Sequence, residues 1–380
     1  MKKSVIKIIT IFGTRPEAIK LAPLIKEFQN FPNDFELKIC VTGQNRELLD
    51  QVLDFFNIKP DFDLNLMKPN QTLFDICVEG LRGLDGILEN YKPDLIVVQG
   101  DTTTAFIGAL AGFYKKIKIA HLEAGLRSGN KLSPYPEEIN RVFISHLADY
   151  HFAPTKNAAQ NLMKENIRKN VWIVGNTVID ALFFGLKLIE QQNVEMYRDF
   201  FSFLDFSKKF ILVTGHRRES FGKPFENICY ALKQIAERFE DVKIIYPEHL
   251  NPNVRKPVNE ILKDIARVHL IEPLAYPYFI WLLEKSYLVL TDSGGIQEEA
   301  PSLGKPVFVM RDVTERMEGI KTGTAKFVGT DQTKILNAVS ALLTSKKQYE
   351  KMARRINLYG DGTTSKMIRD IILKQYNKPI

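Results

Sequence analysis

Asp292-Ser293-Gly294-Gly295 lies between an apolar run that ends at Thr291 and a helical stretch that begins near Gly295. Residues of these types in this order suit a phosphate. The two glycines let the backbone approach an anion closely, and the free N–H groups of a helix start face it. Glu298 and Glu299 follow within the first turn or two, where one carboxylate can accept hydrogen bonds from a ribose diol and so select a nucleotide. The competing reading is purely structural: Ser293 caps an ordinary helix whose acidic residues sit where the helix dipole favours them.

Four further segments directly follow apolar runs: Gly13-Thr14-Arg15-Pro16-Glu17-Ala18-Ile19-Lys20, Gly100-Asp101-Thr102-Thr103-Thr104, Glu123-Ala124-Gly125-Leu126-Arg127 and Gly215-His216-Arg217-Arg218-Glu219-Ser220. In parallel sheets such segments emerge at the edge where ligands bind. A guanidinium at Arg15 and an imidazole at His216 can grip a diphosphate. Asp101 and Glu123 bring two carboxylates to neighbouring strand ends, and Glu137 or Glu138, after Pro136, can add a third. Each has a structural alternative, since Asp101 before threonines can start a helix, Glu137 and Glu138 suit a first helical turn, and Arg217 and Arg218 can simply be solvated. Taken together, acids beside a cationic phosphate grip fit proton movement on a sugar whose leaving group is a nucleoside diphosphate. The reaction class is elimination or transfer at the anomeric carbon. His121 and His249 read as structural; Phe279 and Trp281 read as core on an apolar helix, with one aromatic from Leu274 to Phe279 able to stack on a base.

These groups need strands to aim them. Short β-branched runs alternate with amphipathic stretches along the whole chain, the pattern of parallel sheets covered by helices on both faces. Strands are expected at Val5 to Phe12, Phe35 to Val41, Leu95 to Gln99, Ile117 to Leu122, Tyr150 to Ala153 and Val171 to Val174. A second series is expected at Phe210 to Thr214, Val242 to Tyr246, Val268 to Ile271, Tyr287 to Thr291 and Pro306 to Met310. The fold class is therefore α/β, with two Rossmann-like doubly wound domains and a ligand cleft between them. Residues 1–176 form the first, residues 177–365 the second, and residues 366–380 a terminal helix packing back on the first. G-x-G-x-x-G is absent, which leaves a nicotinamide cofactor without support.

Bulk properties narrow the classes. A chain of 380 residues exceeds the size at which one core keeps growing. With 45% hydrophobic and 26% charged residues it is ordinary globular protein, without low-complexity segments. The formal charge of +7 raises the question of nucleic acid, but the basic residues are scattered and no zinc-finger or RNP motif accompanies them. No nucleic-acid partner is expected. Cys40, Cys77 and Cys229 are far apart in apolar contexts, which fits buried thiols in a reducing, cytoplasmic compartment. His146 and His151 are five apart and share no helix face, so no metal is expected. Met1-Lys2-Lys3 ahead of Val5 to Phe12 imitates a signal peptide, yet Lys7 breaks the apolar core and the run reads better as a first strand. No uncharged apolar run reaches about eighteen residues, so no membrane association is expected.

The segments GTRPEAIKLAPL (Gly13 to Leu24), GDTTT (Gly100 to Thr104), HLEAGLRSG (His121 to Gly129), PEEINR (Pro136 to Arg141), TGHRRESFG (Thr214 to Gly222), HLNPNVRKP (His249 to Pro257) and DSGGIQEEAPSLGKPV (Asp292 to Val307) occur in that order. In them the chain resembles, almost end to end, the bacterial non-hydrolysing UDP-N-acetylglucosamine 2-epimerases. The resemblance implies a GT-B-like fold, with UDP held mainly by the second domain and the hexosamine facing the first. It implies elimination of UDP to an enzyme-bound 2-acetamidoglucal and re-addition with inverted carbon 2, giving UDP-N-acetylmannosamine without a cofactor. Asp101, Glu123 and Glu137 are then the carboxylates that handle the proton, with His216 among the catalytic groups. Arg15, His216, Ser293, Gly294 and Gly295 hold the diphosphate, Glu299 the ribose and Phe279 the uracil, while Lys20, Arg141 and Arg316 line the cleft. The resemblance also implies a homodimer and a role in surface polysaccharide synthesis.

Three departures from the family pattern stand out. Val313, Met317 and Gly319 occupy positions where Thr, Pro and Ala are common, which bears on sugar selectivity. Gln44-Asn45-Arg46 replaces a Gln-His-Arg segment that helps bind a second UDP-N-acetylglucosamine as activator, leaving Gln44 and Arg46 as the candidate allosteric residues. Glu248 replaces an apolar residue before His249. Alternatives are an epimerase for a related UDP-2-acetamido sugar, a retaining glycosyltransferase of the same fold, and a non-catalytic UDP-sugar sensor.

Overall fold

The computed structural model describes residues 5–43, 46–68, 71–192, 194–312, 314 and 316–376. Two compact units divide the chain: residues 1–184 with 359–380, and residues 185–358. The division expected at 176/177 falls instead at 184/185, inside the helix Thr177–Gln191. The second unit also ends earlier than the expected residue 365, because the returning chain is already tied to the first: Thr364 Oγ1 donates to the Val174 carbonyl at 3.0 Å and the Ser365 N–H to Asp180 at 2.8 Å.

In the first unit the strands are β1 (Ile6–Phe12), β2 (Phe35–Val41), β3 (Phe62–Asp63), β4 (Leu95–Gln99), β5 (Lys118–Leu122), β6 (Tyr150–Ala153) and β7 (Val171–Ile173). They form one parallel sheet in the order β3-β2-β1-β4-β5-β6-β7. Strands buried on both faces need continuous apolar runs, and Ile8, Ile9, Ile11, Leu95, Ile96, Val97 and Val98 supply one, each fully buried. The order reverses between β1 and β4, so the turns after Phe12 and Gln99 flank the switch point where such sheets bind ligands. Helix Arg15–Gln29 follows β1, with Pro16 in its first turn where the missing N–H costs nothing. The terminal helix Thr364–Tyr376 packs on it: Arg369 pairs with Glu27 and lies 4.2 Å over the ring of Phe31. The Tyr376 hydroxyl donates to the Asp94 carbonyl at 2.8 Å.

In the second unit the strands are β8 (Lys209–Thr214), β9 (Val242–Pro247), β10 (Val268–Ile271), β11 (Leu288–Thr291), β12 (Val307–Val309) and β13 (Ala325–Phe327). These too are all parallel, in the order β10-β9-β8-β11-β12-β13, with the switch between β8 and β11. Ile211, Val213, Leu288 and Leu290 of the two central strands meet Phe225, Leu232 and Ile235 of helix Lys223–Arg238 in one core. The edge strands β3 and β13 are absent from the sequence expectation. Each is two or three residues long and carries a charge, Asp63 or Lys326, so no apolar run marks it. Cys40 and Cys229 are buried as expected, but Cys77 is only partly so. Among the described residues no helix is long and apolar enough to cross a membrane.

Candidate functional site

In the first unit, Glu123 is the residue at which β5 stops, and it adopts φ 63°, a left-handed conformation that costs a non-glycine residue about 1 kcal/mol. The side chain is held from three directions. Lys20, on helix Arg15–Gln29, forms an ion pair with Oε2, Gln99 at the end of β4 donates to the same oxygen, and Asn176 Nδ2 lies 3.4 Å from Oε1. A buried carboxylate must be matched by donors or a cation, and here it has both. His121, two residues earlier, sits wholly inside the sheet with Nε2 2.8 Å from the Gly100 carbonyl. Burial drives its pKa down to about 3, which keeps it neutral, and its role is structural as expected.

Asp101 follows β4 and is joined to helix Glu137–Leu147. Its Oδ2 accepts from Arg141 Nε at 2.7 Å and its carbonyl from Asn140 Nδ2 at 2.9 Å. The same guanidinium reaches Glu138 at 3.0 Å. Glu138 also accepts the N–H groups of Ser128 and Gly129, each at 2.9 Å. Burial pushes its pKa up, but those N–H groups and Arg141 more than offset this and hold it below the ordinary range. Helical geometry therefore separates two adjacent acids: Glu138 is a brace, whereas Glu137 Oε2 is buried with no hydrogen-bond partner.

In the second unit, Thr214 and Thr291 are register partners on β8 and β11, and their hydroxyls are 2.7 Å apart. Asp292 pins the neighbouring turn: its Oδ2 accepts the N–H of His216 at 2.7 Å and of Arg217 at 2.8 Å, and Oδ1 lies 3.5 Å from His216 Nδ1. Helix Gly294–Ser302 starts one residue earlier than expected, and Ser293 makes no side-chain capping bond. Ser293 thus takes the N-cap position of this helix without its hydroxyl acting as the cap. The first-turn N–H groups of that helix have no intrahelical partner, so the helix offers an anion both donors and dipole. A Cβ on Gly294 would lie 2.8 Å from Arg316 Cζ, so glycine is what lets this guanidinium pack against the turn. Arg316 Nε also binds Glu298 at 2.9 Å. Glu298 is thereby engaged, and Glu299 lies beside Tyr276, whose phenol pKa is raised well above its ordinary value by burial and by that carboxylate.

The other expected residues are placed as follows. Arg15 is the first residue of its helix, half-buried beside Thr14. Phe279 is half-buried on helix Tyr276–Lys285, while Trp281 belongs to the core with Tyr197 and Phe201. Arg46 is exposed and bound to Asp50 and Asp63. Gln44 and Val313 lie outside the described residues. Met317 and Gly319 sit in the short helix Met317–Thr322, directly after Arg316. Glu248 ends up almost buried, bonded to Asn259 at 2.9 Å, with burial raising its pKa. Four residues were missed or undervalued. Gln99 was legible as the polar end of an apolar strand; Asn176, distant in sequence from Glu123, was not. Glu17 looked like an ordinary first-turn acid, and the His249 ring, read as structural, stacks on His216 with centroids 5.2 Å apart. Among the described residues no cluster of three or more His, Cys, Asp or Glu could hold a metal ion.

The sequence model of the UDP-N-acetylglucosamine 2-epimerase family matches residues 26–373. The chain is 51% identical to the UDP-N-acetylglucosamine 2-epimerase of Campylobacter jejuni, with 98% of each chain covered. It is 52% identical to that of Escherichia coli K12, over 96% of this chain and 98% of the other. Among solved structures, the Neisseria meningitidis UDP-GlcNAc 2-epimerase bound to UDP-GlcNAc superimposes with a TM-score of 0.92 at 48% identity, covering 97% of this chain and all of that one.

Proposed function

The chain belongs to the UDP-N-acetylglucosamine 2-epimerase family, is an enzyme of its GT-B-like fold, and from that premise we propose that it inverts carbon 2 of UDP-N-acetylglucosamine by eliminating and re-adding UDP. The single observation that carries the mechanism is the pair of strand-end carboxylates, Asp101 and Glu123, each held by a cation, Arg141 and Lys20. A carboxylate takes the proton from carbon 2 while the bond from carbon 1 to the diphosphate oxygen breaks, and UDP leaves with the electron pair. The product of this step is a 2-acetamidoglucal with a double bond between carbons 1 and 2. Re-addition of UDP to carbon 1, with a proton delivered to the other face of carbon 2, gives UDP-N-acetylmannosamine. Two faces require acids on two sides, and Asp101, Glu123 and Glu137 are the carboxylates proposed to share that work.

The leaving diphosphate is stabilised by Arg15, His216, the Ser293 hydroxyl and the N–H groups at Gly294 and Gly295, since positive charge and preoriented donors favour the departing anion over the bonded one. Glu299 binds the ribose, Phe279 packs on the uracil, and Arg316 adds charge beside the turn. Arg46, already neutralised by Asp50 and Asp63, gives little support to an activator site. Three free cysteines fit the reducing conditions of the cytoplasm, where the product supplies surface polysaccharide synthesis. A homodimer is proposed from exposed Phe74, Val78, Phe113 and Phe143 on three successively packed helices.

Incubating the pure protein with UDP-N-acetylglucosamine in deuterated water tests the reading. Deuterium is expected at carbon 2 in both epimers; absence of exchange sinks the proposal. Asp101→Asn and Glu123→Gln are expected to slow exchange by roughly a hundredfold or more while UDP binding, followed by calorimetry, stays near wild type.

A further inference from the structure

Thr14 and Thr102 precede the first residues of helices Arg15–Gln29 and Thr103–Tyr114, which leave β1 and β4, the neighbours at the switch point. Both hydroxyls donate to one carboxylate, that of Glu17: Thr14 Oγ1 to Oε2 and Thr102 Oγ1 to Oε1, each at 2.7 Å. Oε2 also accepts the N–H of Gly13 at 3.1 Å and of Thr14 at 2.8 Å. Glu17 is 1% exposed, and burial raises its pKa despite these bonds. A carboxylate so deeply placed is costly, and an ordinary first-turn acid would remain in solvent. Local capping explains the bonds from Gly13 and Thr14. It does not explain the bond from Thr102, which is 85 residues away in sequence.

The surrounding packing makes the tie rigid. Thr42, directly after β2, and Thr104, in the first turn of helix Thr103–Tyr114, have hydroxyls 2.9 Å apart. A Cβ on Gly13 would come within 2.0 Å of the first and 2.7 Å of the second. The turn after β1 is thus seated against this hydroxyl pair and fastened by Glu17, which accepts its N–H groups. Arg15 is one residue beyond Thr14, and Asp101 one residue before Thr102.

We propose that Glu17 is a positioning residue that locks the turn carrying Arg15 to the turn carrying Asp101, so that diphosphate grip and proton-transfer carboxylate keep one fixed relation. The inference rests on reading Arg15 and Asp101 as substrate groups. Thr102→Val keeps the shape but removes the hydroxyl, Thr102→Ser keeps the hydroxyl, and Glu17→Gln leaves the Thr102 cap on Ala105 intact while turning one acceptor oxygen into a donor. Steady-state epimerisation, UDP affinity and melting temperature are measured on all three. Displacement by a fraction of an ångström is expected to lower kcat about tenfold to a hundredfold in Thr102→Val and Glu17→Gln, with UDP affinity within about threefold of wild type and Thr102→Ser near wild type. The proposal is overturned if either slow variant keeps wild-type kcat, if Thr102→Ser is as slow as Thr102→Val, or if kcat, UDP affinity and melting temperature fall together. A wild-type protein that does not epimerise defeats the functional reading itself, and the wild-type arm separates that outcome from failure of the lock.

Discussion

His121 lies inside β5 with one ring nitrogen against the Gly100 carbonyl, and that placement has a thermodynamic consequence. Its folded pKa, depressed by burial to about 3, lies far below the ordinary 6.5. Below pH 6.5 the unfolded chain takes up a proton that the folded chain refuses, so stability present at neutral pH is lost as pH falls from there toward 3. Urea melts of wild type and His121→Gln at several pH values should converge on acidification, the wild type losing about 1.4 kcal/mol per pH unit more than the variant. Equal slopes would mean that the imidazole is protonated in the fold. At this scale the acids, cations and glycines were legible, because their spacing after apolar runs is written in the chain. Which of two adjacent acids turns inward was not. Glu137 and Glu138 carry the same charge in the same helical turn, and only the position of Arg141, Ser128 and Gly129 decides that Glu138 is the brace.

Strands and helices were read closely from β-branched runs and amphipathic stretches, and the ends of β1, β4, β5, β8 and β11 fall where chemistry was sought. What the pattern could not supply is how tightly the turns between them pack. Gly125, just past β5, has φ 89°, and a Cβ there would stand 2.2 Å from the carbonyl oxygen of Ala158 in helix Lys156–Lys164. Gly129, in the same loop, has φ 76° but open space around it. Alanine at Gly129 should cost about 1 kcal/mol, the ordinary price of a left-handed residue. Alanine at Gly125 must also displace helical backbone and should cost more than about 3 kcal/mol. Thermal denaturation of the two variants checks this; equal losses would show that the helix yields freely.

For the whole molecule, two facts lie beyond any local window: where the chain divides and what covers its surface. Phe74 is 84% exposed on helix Leu73–Tyr91, and Phe113 is 56% exposed at the end of the adjoining helix. Large apolar rings in water on neighbouring helices suit a subunit contact. Sedimentation velocity should show the wild type as a dimer and Phe74→Glu combined with Phe113→Glu as a monomer with unchanged circular dichroism. A wild type that sediments as a monomer would refute the contact.

The sequence by itself determined the two parallel sheets, the strand ends at which function is proposed and the family, because burial of a strand on both faces and close approach to an anion each demand residue types that can be read one at a time. Only tertiary structure decided that Glu17 binds Thr102, that Asn176 reaches Glu123, and that residues 359–380 return to the first unit. Those contacts join residues far apart in the chain, and whether a carboxylate is solvated or enclosed depends on neighbours that its own segment does not contain.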